Sequence, residues 1–136
     1  MIVDDEANIR NLLFDILSGA GFKVSMAKDG QDSLRQMKNQ CFDLLITDIN
    51  MPRLDGIGLL KEMKSAGRDE RVIIMTGEPL DESKFEGEIP PVFIQLKKPF
   101  HINYFLEIIS SALVPDDREI QSVGSVRRGK RVLHAV

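Results

Sequence analysis

The sequence predicts an α/β fold, a doubly wound parallel sheet with helices on both faces. Three observations lead there. Short apolar runs alternate with helix-period segments from residue 1 to about residue 114. The middle runs, "DLLIT" (43–47) and "RVIIM" (71–75), are apolar on both faces, as parallel strands between two helical layers must be. A chain of 136 residues, 43% hydrophobic and 29% charged, suits one globular domain with a substantial core.

The elements follow in order. "MIV" (1–3) reads as a short first strand. Ile9, Leu12, Leu13, Ile16 and Leu17 share a helical face, with Gly19 and Gly21 available to stop that helix. "FKVSMA" (22–27) alternates like a strand near a sheet edge, and residues 31–39, with Leu34 and Met37, form a weaker helix. After the strand 43–47, Ile57, Leu59, Leu60 and Met63 mark a helix closed near Gly67, and 71–75 is strand again. The stretch "GEPLDESKFEGEIPP" (77–91) supports only one or two helical turns near 80–86, because Gly87, Pro90 and Pro91 interrupt it. The fourth helix is therefore expected to be short or irregular. "VFIQL" (92–96) is the fifth strand, and Ile102, Phe105, Leu106, Ile109 and Leu113 make a final amphipathic helix. Right-handed crossovers then favour the five-stranded, flavodoxin-like order 2-1-3-4-5.

From residue 115 the periodicity stops. Residues 115–136 read as a tail or linker following a domain of residues 1–114, with Arg127, Arg128, Lys130 and Arg131 near its end. That tail is too short for a DNA-reading domain. A net charge of −3 gives no general attraction to nucleic acid or membrane surfaces. Apolar runs of four or five residues cannot span a bilayer. No signal peptide is found, and Cys41 stands alone, so an internal disulfide is impossible and a reducing cytoplasm is expected.

Polar residues collect after the strands. Asp4 and Asp5 follow the first, Asp48 the third, Thr76 and Gly77 the fourth, and Lys97, Lys98 and Pro99 the fifth. Ligands of open parallel sheets bind beyond the carboxyl ends of the strands, where the winding reverses. In the order 2-1-3-4-5 that point brings Asp4 and Asp5 beside Asp48, with Thr76 and Lys98 flanking. Asp5 could instead cap the following helix, and Asp55 before Gly56 reads as a cap or turn residue. Three neighbouring carboxylates repel one another unless a cation joins them. An all-oxygen set without His or Cys suits Mg2+ or Mn2+. Asp48 then has the surroundings of a nucleophile that becomes an acyl phosphate, with Lys98, the metal and the Thr76 hydroxyl sharing the phosphoryl charge.

"VDDE" (3–6), "DINMPRLDG" (48–56), "MTG" (75–77) and "KKPF" (97–100) resemble the receiver domain of two-component response regulators, in the same order and at similar separations. The resemblance covers residues 1 to about 114. It implies that Asp48 accepts a phosphoryl group from a histidine kinase. It implies that Asp5, Asp48 and the Asn50 carbonyl ligate Mg2+, with Asp4 helping through water. It also implies that Lys98 pairs with the phosphoryl group and precedes a cis Pro99, and that Thr76 swings toward the phosphoryl oxygen. The lifetime-tuning positions carry Asn50 and Glu78, a pair resembling chemotaxis-type receivers with short-lived phosphoryl groups. Three departures stand out. Gln95 occupies the place of an inward-turning Tyr or Phe, with Phe93 expected on the same side of the strand. The fourth helix is eroded, and "MIV" is short, as in an excerpt of a longer product.

Other readings are weaker. A haloacid-dehalogenase-type phosphohydrolase needs an Asp where Asn50 stands, and room for a cap domain. A phosphorylation-independent docking module would be expected to lose an acid or the Lys. A flavin site would put phosphate against "VDDEAN", where acids repel it.

Overall fold

The computed structural model describes residues 1–113; the expected boundary at 114 and the tail 115–136 lie outside the described residues. Its elements are β1 (Ile2–Val3), α1 (Ala7–Gly19), β2 (Met26–Ala27), α2 (Gly30–Met37), β3 (Leu44–Asp48), α3 (Gly56–Ser65), β4 (Arg71–Thr76), a 3-10 turn (Glu82–Phe85), β5 (Val92–Lys97) and α4 (Ile102–Ala112). The strands form one parallel sheet in the expected order, β2-β1-β3-β4-β5.

Alternation along β4 divides the core. Val72 and Ile74 join Val3, Leu45, Leu59, Leu60 and Met63 on the face that α3 covers. Ile73 and Met75 join Ile2, Leu13, Leu17, Ile46, Phe105 and Ile109 on the face that α1 and α4 cover. Most of these side chains are fully buried, each contributing about 1.5–3 kcal/mol by leaving water. The middle strands are thus apolar on both sides because both sides are covered.

Three details differ from the sequence reading, and the fourth helix is as short as expected. The second strand shrinks to Met26–Ala27, while Phe22 and Val24 pack against the core from a loop. Tertiary contact outweighs their strand-like alternation. Leu12 points outward at 52% exposure, and Ile102 at the start of α4 is also exposed. The fourth helix, expected to be short or irregular, is a four-residue 3-10 turn, started by Asp81, whose carboxylate accepts the Ser83 N–H at 3.1 Å, and followed by Gly87 at φ 80°. Finally, Phe93 does not sit inward beside Gln95. Val72 pairs with Val92 and Ile73 with Ile94, so Phe93 is left over in a register shift, exposed, with its ring 5.2 Å from the Arg71 guanidinium.

A buried ion pair fastens the region below the sheet. The Arg68 guanidinium meets the Glu70 carboxylate and donates to the carbonyls of Met37 (2.8 Å) and Gln40 (2.9 Å). Glu70 in turn accepts the Phe42 N–H at 3.1 Å. Every partner here lies between the end of α2 and the start of β4, so the pair sets the entry of β3 and β4 into the sheet.

Candidate functional site

The site is assembled by β1, β3 and β5 ending at the same edge. In-register pairing of Val3 with Thr47 puts Asp4 beside Asp48, and pairing of Thr76 with Lys97 puts Lys98 just beyond β4. Asp4 is fully buried. Its Oδ1 accepts the Glu6 N–H at 2.9 Å, and its backbone carbonyl accepts Nη1 of Arg10 at 2.7 Å. Asp5 is exposed and stands one residue before the cap position, Glu6, and no side chain caps α1, so Asp5 does not cap it. Instead its carboxylate closes a group: one oxygen each from Asp4, Asp5 and Asp48 lie within 4.8 Å of one another.

Asp48 ends β3 at 7% exposure. Its Oδ1 accepts the Asn50 N–H at 3.4 Å, a long contact that sets Asn50 against the carboxylate as the chain turns. Lys98 spans the acids, with Nζ 3.1 Å from Oδ2 of Asp4 and 3.1 Å from Oδ2 of Asp48. Its N–H donates to the Thr76 carbonyl at 2.8 Å, and its bond to Pro99 is cis, as the resemblance implies. Burial pushes the Asp4 carboxyl above its usual range, and the Glu6 amide and Lys98 only partly offset that. For Lys98, burial pulls the ammonium down, but Asp4 and Asp48 outweigh it and hold it above its ordinary value.

The loop after Asp48 is held from three directions. Gly56 N–H closes it onto the Ile49 carbonyl at 2.8 Å, and Asp55 caps α3 through the Gly58 N–H at 2.8 Å, as expected. Gly30 N–H donates to the Leu54 carbonyl at 3.2 Å. Arg53, in the left-handed region at φ 67°, places Nε 3.3 Å from Oδ2 of buried Asp29. The sequence reading missed Arg10, Asp29 and Arg53. Each reaches a partner across elements, and no local motif carries that information.

Thr76 is buried at the end of β4, and its hydroxyl is engaged locally. It donates to the Glu78 carbonyl and accepts the Glu78 N–H at 3.2 Å. Asp4, Asp5, Asp48, Asn50 and Lys98 are therefore brought together, and Thr76 stands one strand away with its hydroxyl turned into its own loop.

One ammonium facing three carboxylates leaves negative charge in excess, and every donor is a hard oxygen. That set fits Mg2+ or Mn2+, which favour carboxylate and carbonyl oxygen.

The response regulator receiver domain model matches residues 1–110. Among curated proteins, the transcriptional regulatory protein ZraR of Salmonella typhimurium is 32% identical over 113 residues, covering 83% of this chain and 26% of its own length. The DNA-binding transcriptional regulator NtrC of Escherichia coli is 32% identical over 112 residues, 82% of this chain and 24% of its own. The chain thus spans about a quarter of these relatives. Among solved structures, the chemotaxis protein CheY4 of Vibrio cholerae superposes with a TM-score of 0.73 at 29% identity, over 82% of this chain and 94% of that one. The response regulator TrrA of Thermotoga maritima, solved with Mg2+ and beryllofluoride, superposes at 0.69 and 26% identity, over 82% and 95%. With kinship of this kind in both sequence and structure, the chain belongs to the receiver domains of two-component response regulators.

Proposed function

We propose that Asp48 accepts a phosphoryl group from a histidine kinase or phosphotransfer protein, and that the resulting change controls an output domain or partner. The observation that carries this reading is Lys98 Nζ at 3.1 Å from both Asp4 and Asp48, in a carboxylate group with room for a divalent charge. An oxygen of Asp48 attacks phosphorus and forms the new O–P bond as the P–N bond to the donor imidazole breaks. The electron pair of that bond returns to the ring nitrogen, and because the other ring nitrogen carries a proton the imidazole leaves neutral. Lys98 lies where it would take up charge on the phosphoryl oxygens. Asp4, Asp5, Asp48 and the Asn50 carbonyl would hold Mg2+ (or Mn2+), which supplies electrostatic stabilisation of that charge. Thr76 leaves the Glu78 carbonyl and donates to a phosphoryl oxygen, coupling the site to the loop after β4.

Water later attacks the acyl phosphate, so the domain catalyses only its own loading and unloading and is no enzyme toward a separate substrate. The chain works in the cytoplasm; no described helix is long and apolar enough to cross a membrane. Nucleic acid is left to an output module, as the name of the relative NtrC suggests for that longer protein. A phosphorylation-independent docking role has no observation in its favour.

Intact mass after incubation with acetyl phosphate and Mg2+ tests the reading. One phosphoryl adduct, absent in Asp48→Asn and without Mg2+, is expected. Failure of the parent to bind beryllofluoride under the same conditions would overturn it.

A further inference from the structure

We propose that Gln95 is a hydrogen-bonded latch that holds the loop after β4 in its unphosphorylated arrangement, and that phosphorylation of Asp48 opens it. This rests on the phosphoacceptor reading above.

The latch is a closed set of three bonds. Oε1 of Gln95 accepts the Leu80 N–H at 2.8 Å, and Nε2 donates to the Leu80 carbonyl at 2.8 Å. The second Nε2 proton goes to the Glu82 carboxylate at 2.8 Å. The side-chain amide thereby treats Leu80 as a neighbouring strand would, engaging both its donor and its acceptor. Only one orientation of the amide serves all three bonds, because the reverse would set Nε2 against the Leu80 N–H. An aromatic or aliphatic side chain at position 95 could make none of them.

The link to the site is short. Thr76 and Leu80 are separated by Gly77, Glu78 and Pro79. The hydroxyl of Thr76 is held by the Glu78 backbone at one end of this segment, and Leu80 is held by Gln95 at the other. Pro79 has a ring-fixed φ and no N–H, so the segment cannot absorb a change at Glu78 by flexing there. For Thr76 to turn toward a phosphoryl oxygen it must release the Glu78 carbonyl. The displaced Glu78 then moves Leu80 through Pro79, with exposed Gly77 as the pivot on the other side. Two rigidly linked clamps on five residues cannot both stay closed when one opens. The phosphorylated state therefore carries the cost of breaking the latch, and removing the latch favours that state.

Hydrogen exchange of the Leu80 amide reads the latch directly, in the parent and in Gln95→Ala, each free and loaded with Mg2+ and beryllofluoride. In the parent, the amide is expected to be protected when free and to lose protection on loading. In Gln95→Ala it exchanges fast in both states, and beryllofluoride binds roughly thirtyfold tighter, since the three bonds of Gln95 no longer oppose loading. Continued protection of β4 amides such as Ile73 and Ile74 shows that this variant is folded. If β4 protection is lost, Glu82→Ala takes its place, with only one bond removed and roughly threefold tighter binding expected. Leu80 staying protected in the loaded parent, or unchanged affinity in the folded variant, would overturn the latch. A parent that binds no beryllofluoride would overturn the phosphoacceptor reading itself.

Discussion

Gly56 passes so close beneath Asp48 that a Cβ added to it would lie 2.4 Å from the Asp48 carbonyl oxygen and 2.8 Å from Cα of Ile49. The first residue of α3 is thus packed directly against the backbone of Asp48. Gly56→Ala has to push that backbone aside, because neither neighbour is a flexible side-chain end. A loss of about 1–3 kcal/mol is expected, read from urea unfolding. Mg2+ affinity should fall with it, since the displaced peptide leads to Asn50. A variant as stable as the parent would show that the loop yields freely.

Mg2+ should stabilise the folded chain. At a concentration a hundredfold above its dissociation constant, the gain is about 2.7 kcal/mol, visible as a rise in melting temperature. Asp5→Asn removes one exposed carboxylate without touching the core, so its melting point without metal should stay near that of the parent while the Mg2+ response shifts to higher concentration. Lys98→Met removes a competing cation. It should bind Mg2+ at least as tightly, yet load phosphoryl from acetyl phosphate on the order of tenfold more slowly or worse. Equal loading rates would remove Lys98 from the chemistry.

Arg68→Ala strands Glu70, whose side chain is only 2% exposed, together with the Met37 and Gln40 carbonyls. Breaking one side of a buried pair costs about 3–5 kcal/mol. The double change Arg68→Met with Glu70→Leu removes the stranded charge, and a partial recovery of stability is expected. The Phe42 N–H would lose its bond to the Glu70 carboxylate, and both carbonyls would lose the guanidinium. Chemical denaturation of the three variants measures this coupling.

The phosphoryl group should be short-lived. Asn50, against the Asp48 carboxylate, and Glu78, two residues after Thr76, are both exposed and polar, and neither would shield an acyl phosphate from water as a bulky apolar side chain would. Decay followed after removal of the donor should be complete well within hours at room temperature. A phospho-form persisting for many hours would sink this expectation.

Sheet order, both helical layers and the grouping of the acids were legible because hydrophobic period and strand-end position are local signals. The apolar runs at 43–47 and 71–75 announce buried strands, and Asp48 and Thr76 follow them by simple continuation. The staples were not legible. Arg53 meets Asp29 and Arg68 meets the end of α2 only after the chain has folded. The Asp5 capping alternative failed for a subtler reason: the helix begins at Ala7, which puts Glu6 and not Asp5 in the cap position, and no side chain caps it. Gln95 was visible as a departure, but its grip on Leu80 depends on the path of a segment that has no period at all.

The surplus residue Phe93 has a consequence for how this strand tolerates change. Because Val92 and Gln95 pair with Val72 and Ile74, which share one face, the shift at Phe93 resets the inside-outside alternation midway along β5. Replacing the side chain of Phe93 would remove an exposed ring and its Arg71 contact and leave the alternation as it is. Deleting the residue would let Ile94 follow Val92 directly opposite Val72 and Ile73, a regular ladder in which every residue keeps its face. A deletion at this single point is thus absorbed by the sheet, whereas a deletion inside the one-to-one ladder of β3 would turn every residue on one side of it to the other face.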